Sequence, residues 1–156
     1  MNKKDIMKKT VIFDLDGTLA LIDSRREISI GDDDKMDWDT FFDPKMISLD
    51  DPNIPVIKMA QMFDKQDFYI MIMSGRSDVT KDTTVDWLKK HNVPYHSLIM
   101  RDKKNHYLKD STLKQIWLDS YVDKDDVFAV FDDRQQVVDM WRDNGLFVFQ
   151  VAEGDF

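Results

Sequence analysis

The chain has no cysteine, only five glycines and only four prolines in 156 residues. Without cysteine there is no disulfide scaffold, no thiolate zinc site and no cysteine nucleophile, and the absence fits a reducing cytoplasm. The five glycines, at positions 17, 31, 75, 145 and 154, cannot compose a G-x-x-x-x-G-K-[ST] phosphate loop. An excess of positive charge is also missing. Basic residues number 22 against 30 acidic ones, for a net charge of −8. That excludes a wide basic face for coating duplex DNA, although a small basic pocket on an acidic body remains open. No apolar stretch approaches the roughly 18 residues of a membrane helix. The charged start, Met1–Lys9, precedes an apolar run of only three residues, Val11 to Phe13, so no signal peptide is expected. The expectation is a soluble, cytoplasmic protein with no membrane partner.

What the chain does have is apolar mass. It is 42% hydrophobic, with ten Phe and four Trp, enough for a core rather than a disordered chain. Its length suits a single domain, residues 1–156. Short apolar runs at Thr10–Asp14, Phe68–Met73, His96–Met100, Val127–Phe131 and Leu146–Phe149 predict five strands buried on both faces. Between them, helical stripes run through Val56–Phe63, Val85–Leu88 (stopping near Asn92), Leu113–Tyr121 and Val137–Trp141, the last closed by Asn144-Gly145. Strand alternating with helix predicts an α/β fold, a doubly wound, mainly parallel five-stranded sheet. The segment 19–53 breaks the rhythm: it is acidic, carries Trp38, Phe41 and Phe42, and reads as a flap or small cap inserted after the first strand, with one short helix near Trp38–Phe42. The core is then about 10–18 and 54–156.

Three polar clusters stand at the ends of apolar strands: Asp14-Leu15-Asp16-Gly17-Thr18, Ser74-Gly75-Arg76 and Asp132-Asp133-Arg134. In a parallel sheet the carboxyl ends share one edge, where ligands bind, so the clusters are expected to converge. Asp14, Asp132 and Asp133 make a hard-oxygen set without histidine, which suits Mg²⁺ better than zinc. Crowded carboxylates repel one another unless a cation neutralises them. Ser74 supplies a hydroxyl, Arg76 and Arg134 supply planar forks for phosphate oxygens, and Lys109 precedes a helix expected near Asp110–Ser111, a place that favours an anion. Together these point to phosphoryl chemistry. Asp132-Asp133 could instead cap the helix starting near Arg134. Arg25 and Arg26 read as solvated surface. His91, His96 and His106 have no metal-ligand spacing.

At Asp14-x-Asp16-Gly17-Thr18 the sequence resembles the haloacid dehalogenase superfamily of phosphatases. Ser74, Lys109 and the Asp132-Asp133 pair follow in the same order. VIFDLDGTLA (11–20), MSGR (73–76) and the closing stretch 131–156 resemble more narrowly the 3′-phosphatase domains of bacteriophage polynucleotide kinases. The resemblance implies that Asp14 is the nucleophile, forming an aspartyl-phosphate, and that Asp16 is the general acid and then base. A neighbouring carboxylate and the substrate phosphate would raise the pKa of Asp16 towards that role. Ser74 and Lys109 would hold the phosphoryl oxygens. Asp14, Asp16, Asp132 and Asp133 would form the Mg²⁺ site, and Arg76, Arg101, Arg134 and Thr18 would contact substrate. The activity implied is removal of a 3′-phosphate from DNA or RNA ends, without 5′-kinase activity in this chain, in a host cell's cytoplasm if phage-encoded. A kinase or ligase on a separate polypeptide is a conceivable partner. A basic stretch, Arg101, Lys103, Lys104, His106 and Lys109, would help to grip a strand, with Trp38 or Tyr107 as stacking candidates. The acidic net charge leaves open a nucleoside 3′- or 5′-monophosphate phosphatase, and a non-catalytic binding module is a third reading.

Overall fold

The computed structural model describes residues 8–154. The chain opens with strand β1 (Thr10–Phe13), then a small ribbon and three short helices: β2 (Ala20–Leu21), α1 (Asp23–Ser29), α2 (Trp38–Phe41), α3 (Pro44–Ser48) and β3 (Asp51–Pro52). From there helix and strand alternate: α4 (Ile54–Lys65), β4 (Tyr69–Ser77), α5 (Lys81–Lys90), β5 (Ser97–Arg101), α6 (Asp110–Tyr121), β6 (Val127–Asp132), α7 (Gln135–Asp143) and β7 (Val148–Gln150). Five strands form one parallel sheet in the order β5-β4-β1-β6-β7, the α/β architecture that the alternating pattern predicts.

Period-2 alternation divides the strand side chains between two cores. Val11, Phe13, Ile70, Ile72, Ala129 and Phe131 point to the face covered by α4 and α5, where Val56, Ile57, Ala60, Trp87 and Leu88 meet them. Ile12, Met71, Met73 and Val130 point to the other face, against Leu113, Trp117, Leu118, Val137, Val138 and Trp141 of α6 and α7. Each large apolar side chain enclosed this way contributes about 1.5–3 kcal/mol. Phe13 stacks on Phe131 at 4.6 Å and Phe131 on Phe149 at 4.9 Å, tying β1, β6 and β7 together.

The chain leaves β1 towards β4 and β5 on one side and later returns to β6 and β7 on the other. The carboxyl ends of β1 and β6 therefore flank the switch point, where open α/β sheets bind ligands. Above it lie the three short helices, their chain entering and leaving through the antiparallel β2–β3 pair, Ala20 opposite Pro52 and Leu21 opposite Asp51. The helix expected near Trp38–Phe42 is α2, and two more, α1 and α3, accompany it. Strand β4 runs beyond Met73 to Ser77 because a bulge interrupts its pairing with β5: Ser74 pairs with Met100 and Ser77 with Arg101. Bulges of this kind re-aim side chains at functional edges, and here Gly75 and Arg76 lie within it. Among the described residues no helix is long and apolar enough to cross a membrane.

Candidate active site

The three polar clusters do converge. They line the floor of a cleft of about 630 Å³ between the carboxyl edge of the sheet and the short helices. Asp14 follows β1 directly, its backbone N–H donating to the Phe131 carbonyl at 2.9 Å. The turn after it is tight: Gly17 has φ +82°, and a Cβ there would come within 2.1 Å of Asp133 Oδ2. Only glycine allows both the backbone conformation and that approach. At Gly75, within the bulge, only the close approach applies: a Cβ would meet Asp110 Oδ1 at 2.6 Å.

Asp14, Asp132 and Asp133 are all buried, and each offers an oxygen within 4.8 Å of the others'. Their cation is Lys114, whose Nζ donates to Asp14 Oδ1 at 2.7 Å and Asp132 Oδ2 at 3.2 Å. The indole N–H of Trp141 also donates to Asp132 Oδ2, and the Asp133 N–H to Asp132 Oδ1, so Asp132 is fixed on both oxygens. The Thr18 hydroxyl lies within hydrogen-bond distance of Asp14 Oδ2 and Asp133 Oδ1. Burial and the Asp132 charge push the Asp14 carboxyl well above its ordinary value, against the pull of Lys114. Burial and Asp132 also raise Asp133. Three carboxylates and one ammonium leave a formal charge of −2 on hard oxygen donors, a set that could hold a divalent cation.

Asp16 lies outside that cluster. Its Oδ1 accepts from Arg25 Nη2 at 2.8 Å, Arg76 Nε at 2.9 Å and Arg76 Nη2 at 2.5 Å. Burial pushes its pKa up, but the two guanidiniums outweigh it and hold the carboxyl at about 2. The expected upward shift is therefore reversed: the nearest charges to Asp16 are arginines rather than carboxylates. A second buried carboxylate, Asp50, just ahead of β3, joins the same pair. Arg25 donates to its two oxygens at 3.1 and 2.8 Å, and Arg76 Nη2 to one at 3.3 Å.

Other residues sit differently from their sequence reading. Arg25 is 1% exposed and internal, while Arg26 stays at the surface. Lys109 precedes α6 and lines the cleft wall; the lysine that reaches Asp14 is Lys114, just over one turn into the helix. Thr18 is fully enclosed and braces carboxylates instead of facing the cleft. Ser74 is buried, its Oγ accepting from the Arg76 N–H at 3.2 Å. Arg101 donates to the carbonyls of Gly75, Asn105 and Leu108 and pairs with Asp110, which also binds Arg134 at 2.7 Å. The arginine before α7 makes no side-chain cap and neither does Asp133; Asp132 Oδ1 instead accepts the N–H groups of the turn.

Lys114, Arg25, Asp50 and Asp110 were missed as site residues. Lys114 alone left a signal. It shares a helical face with Trp117 and Leu118, and a lysine within a buried stripe calls for a partner.

The family model for the polynucleotide kinase PNKP phosphatase domain matches residues 8–156. A protein of Autographa californica nuclear polyhedrosis virus, whose name describes a bifunctional polynucleotide kinase/RNA ligase, is 32% identical over 143 residues; they cover 89% of this chain and 18% of that protein. A chain in the structure of a Pnkp1/Rnl/Hen1 complex is 34% identical with a TM-score of 0.77, covering 96% of this chain and 48% of that one. This chain thus spans less than half the length of either. The class C acid phosphatase of Bacillus anthracis, 16% identical over 95% of this chain and 69% of its own, shares the fold at a TM-score of 0.65.

Proposed function

The chain belongs to the polynucleotide kinase PNKP phosphatase-domain family, and on that premise we propose that it removes 3′-phosphates from nucleic-acid ends through an aspartyl-phosphate. One observation carries the chemistry: Asp14 faces the cleft at the switch point with Lys114 Nζ 2.7 Å from its carboxylate. Asp14 attacks phosphorus, the bond from phosphorus to the 3′-oxygen breaks, and Asp16 gives that oxygen its proton. Water then attacks the phosphorus, Asp16 takes the water's proton, and inorganic phosphate leaves Asp14. Covalent catalysis splits one hard displacement into two. Asp14, Asp132 and Asp133 would hold Mg²⁺, which supplies positive charge against the phosphate dianion. Lys114 takes over the phosphate-facing role expected of Lys109. Arg76 lines the cleft, so an incoming phosphate competes with Asp16 for its guanidinium and loosens the hold that keeps Asp16 ionised.

The relatives' names join this domain to kinase and ligase, which supports action on strand ends alongside such enzymes. The test is phosphate release with Mg²⁺ from a 3′-phosphorylated oligonucleotide, its 5′-phosphorylated isomer and the two nucleoside monophosphates. Preference for the 3′-oligonucleotide is expected, and Asp14→Asn abolishes it with the fold intact. Equal or faster release from mononucleotides overturns the assignment to strand ends.

A further inference from the structure

The cleft has one wall that phosphoryl chemistry does not need. Trp38 lines it, 60% exposed, and belongs to the short-helix segment rather than to the loop before α6. It is nevertheless held in place. Asp37 caps α2, accepting from the N–H groups of Asp39 and Thr40 at 3.1 and 3.3 Å and from the Thr40 hydroxyl at 2.8 Å. The indole stacks on Phe42 (5.9 Å between centroids, 19° between planes) and meets the edge of Phe41 at 5.5 Å. Phe41 is buried and lies over the Arg25 guanidinium, 4.4 Å from its ring centre. A large indole is thus braced by two phenylalanines and left largely exposed in the cleft that Asp14 also lines. His106, Lys109 and Arg134 line the same cleft. Tyr107 is also exposed and meets His106 edge to face, but it does not line the cleft.

These surfaces match the parts of a nucleotide at a strand end: carboxylates and Lys114 for the phosphate to be cleaved, Lys109 and Arg134 for the next phosphodiester, and a flat aromatic face for a base. Resting on the function proposed above, we infer that Trp38 is a stacking platform for the unpaired terminal nucleobase. Every base has a π-face, so the platform is tolerant of sequence. It requires the base to be free of a partner strand, so single-stranded or frayed ends are the substrates it favours.

The test measures steady-state phosphate release by the wild type, Trp38→Ala and Trp38→Phe. The substrates are a 3′-phosphorylated single-stranded oligonucleotide ending in an ordinary base, the same strand ending in an abasic sugar, and glycerol phosphate. Thermal melting checks that each variant is folded. For the base-terminated strand Trp38→Ala raises KM by about 5- to 150-fold, the range for loss of one base–aromatic stack, with kcat nearly unchanged. The abasic strand and glycerol phosphate are unaffected, and Trp38→Phe restores most of the loss. Equal losses on the abasic and base-terminated strands, or no loss on either, overturn the stacking assignment while leaving 3′-phosphatase activity in place. A wild type that hydrolyses glycerol phosphate but neither oligonucleotide overturns the strand-end reading and the stacking with it.

Discussion

Removing the Lys114 charge is the sharpest perturbation of this site. Its ammonium is enclosed between Asp14 and Asp132, with Asp133 alongside, and the surrounding carboxylates raise its pKa despite its burial. Lys114→Met keeps much of the side chain's bulk and takes the cluster from −2 to −3. Breaking a buried ion pair by deleting one partner costs about 3–5 kcal/mol. For a domain of this size 1 kcal/mol moves Tm by about 2–4 °C, so the fall is about 6–20 °C. Melting is followed by circular dichroism at pH 7 in EDTA, because a bound cation would mask the missing charge. Adding Asp132→Asn returns the formal charge to −2, and the double variant is expected to recover part of the loss. Phosphate release falls by about a hundred- to a thousandfold, comparable to losing a preorganised charge-stabilising group in a closed site, whereas Lys109→Met, at the cleft wall, changes KM and leaves Tm within about 2 °C. A Lys114→Met protein that melts with the wild type and still turns over refutes the reasoning. So does a Lys109→Met protein that shows the larger effect.

Asp16 is held at about 2, below its usual 3.8, so its ion pairs stabilise the fold above pH 4 and that contribution is lost as pH falls through 2. Chemical denaturation should therefore find Asp16→Asn less stable than the wild type by about 2 kcal/mol at pH 7, at 1.36 kcal/mol per pKa unit, with the gap closing between pH 4 and pH 2; a constant gap counts against the arginine pairing. Gly17→Ala meets both a positive φ and the Asp133 carboxylate, and a loss of more than about 1 kcal/mol with turnover nearly abolished is expected from melting and phosphate release; an active, stable variant would show that the turn can open. Removing Mg²⁺ with EDTA stops phosphate release, and restoring it raises Tm by mass action; a Tm indifferent to Mg²⁺ argues against the Asp14–Asp132–Asp133 site.

The sheet and the floor of the cleft were legible for one reason. Apolar runs buried on both faces have to end in the polar residues of the functional edge, so Asp14, Ser74 and Asp132 marked their own strands. Arg76 and Arg134 were picked out as cations, but not as members of ion pairs, because their carboxylates come from segments distant in sequence: Asp50 is 26 residues from Arg76, and Asp110 is 24 from Arg134. Arg25 was misread because an arginine on a short helix in an acidic stretch carries no periodic signal. Lys109 was picked out for its place before a helix start, and Lys114, further into that helix, was missed. The apolar stripe of α6 held the better clue, since burying a lysine among Leu113, Trp117 and Leu118 requires a carboxylate at its tip.

The two-residue ribbon between β2 and β3 has a further consequence. It brings the two ends of the 19–53 segment side by side, so that segment is a cassette that leaves and rejoins the frame at one place. The two are not independent, however. Arg25 and Asp50 belong to the cassette, Asp16 and Arg76 to the frame, and the four share one buried set of ion pairs. A transplanted cassette that lacked either member would leave Asp16 and Arg76 partly unmatched. The 19–53 segment is thus tied to the sheet by more than its two chain ends: it carries its own half of an electrostatic latch.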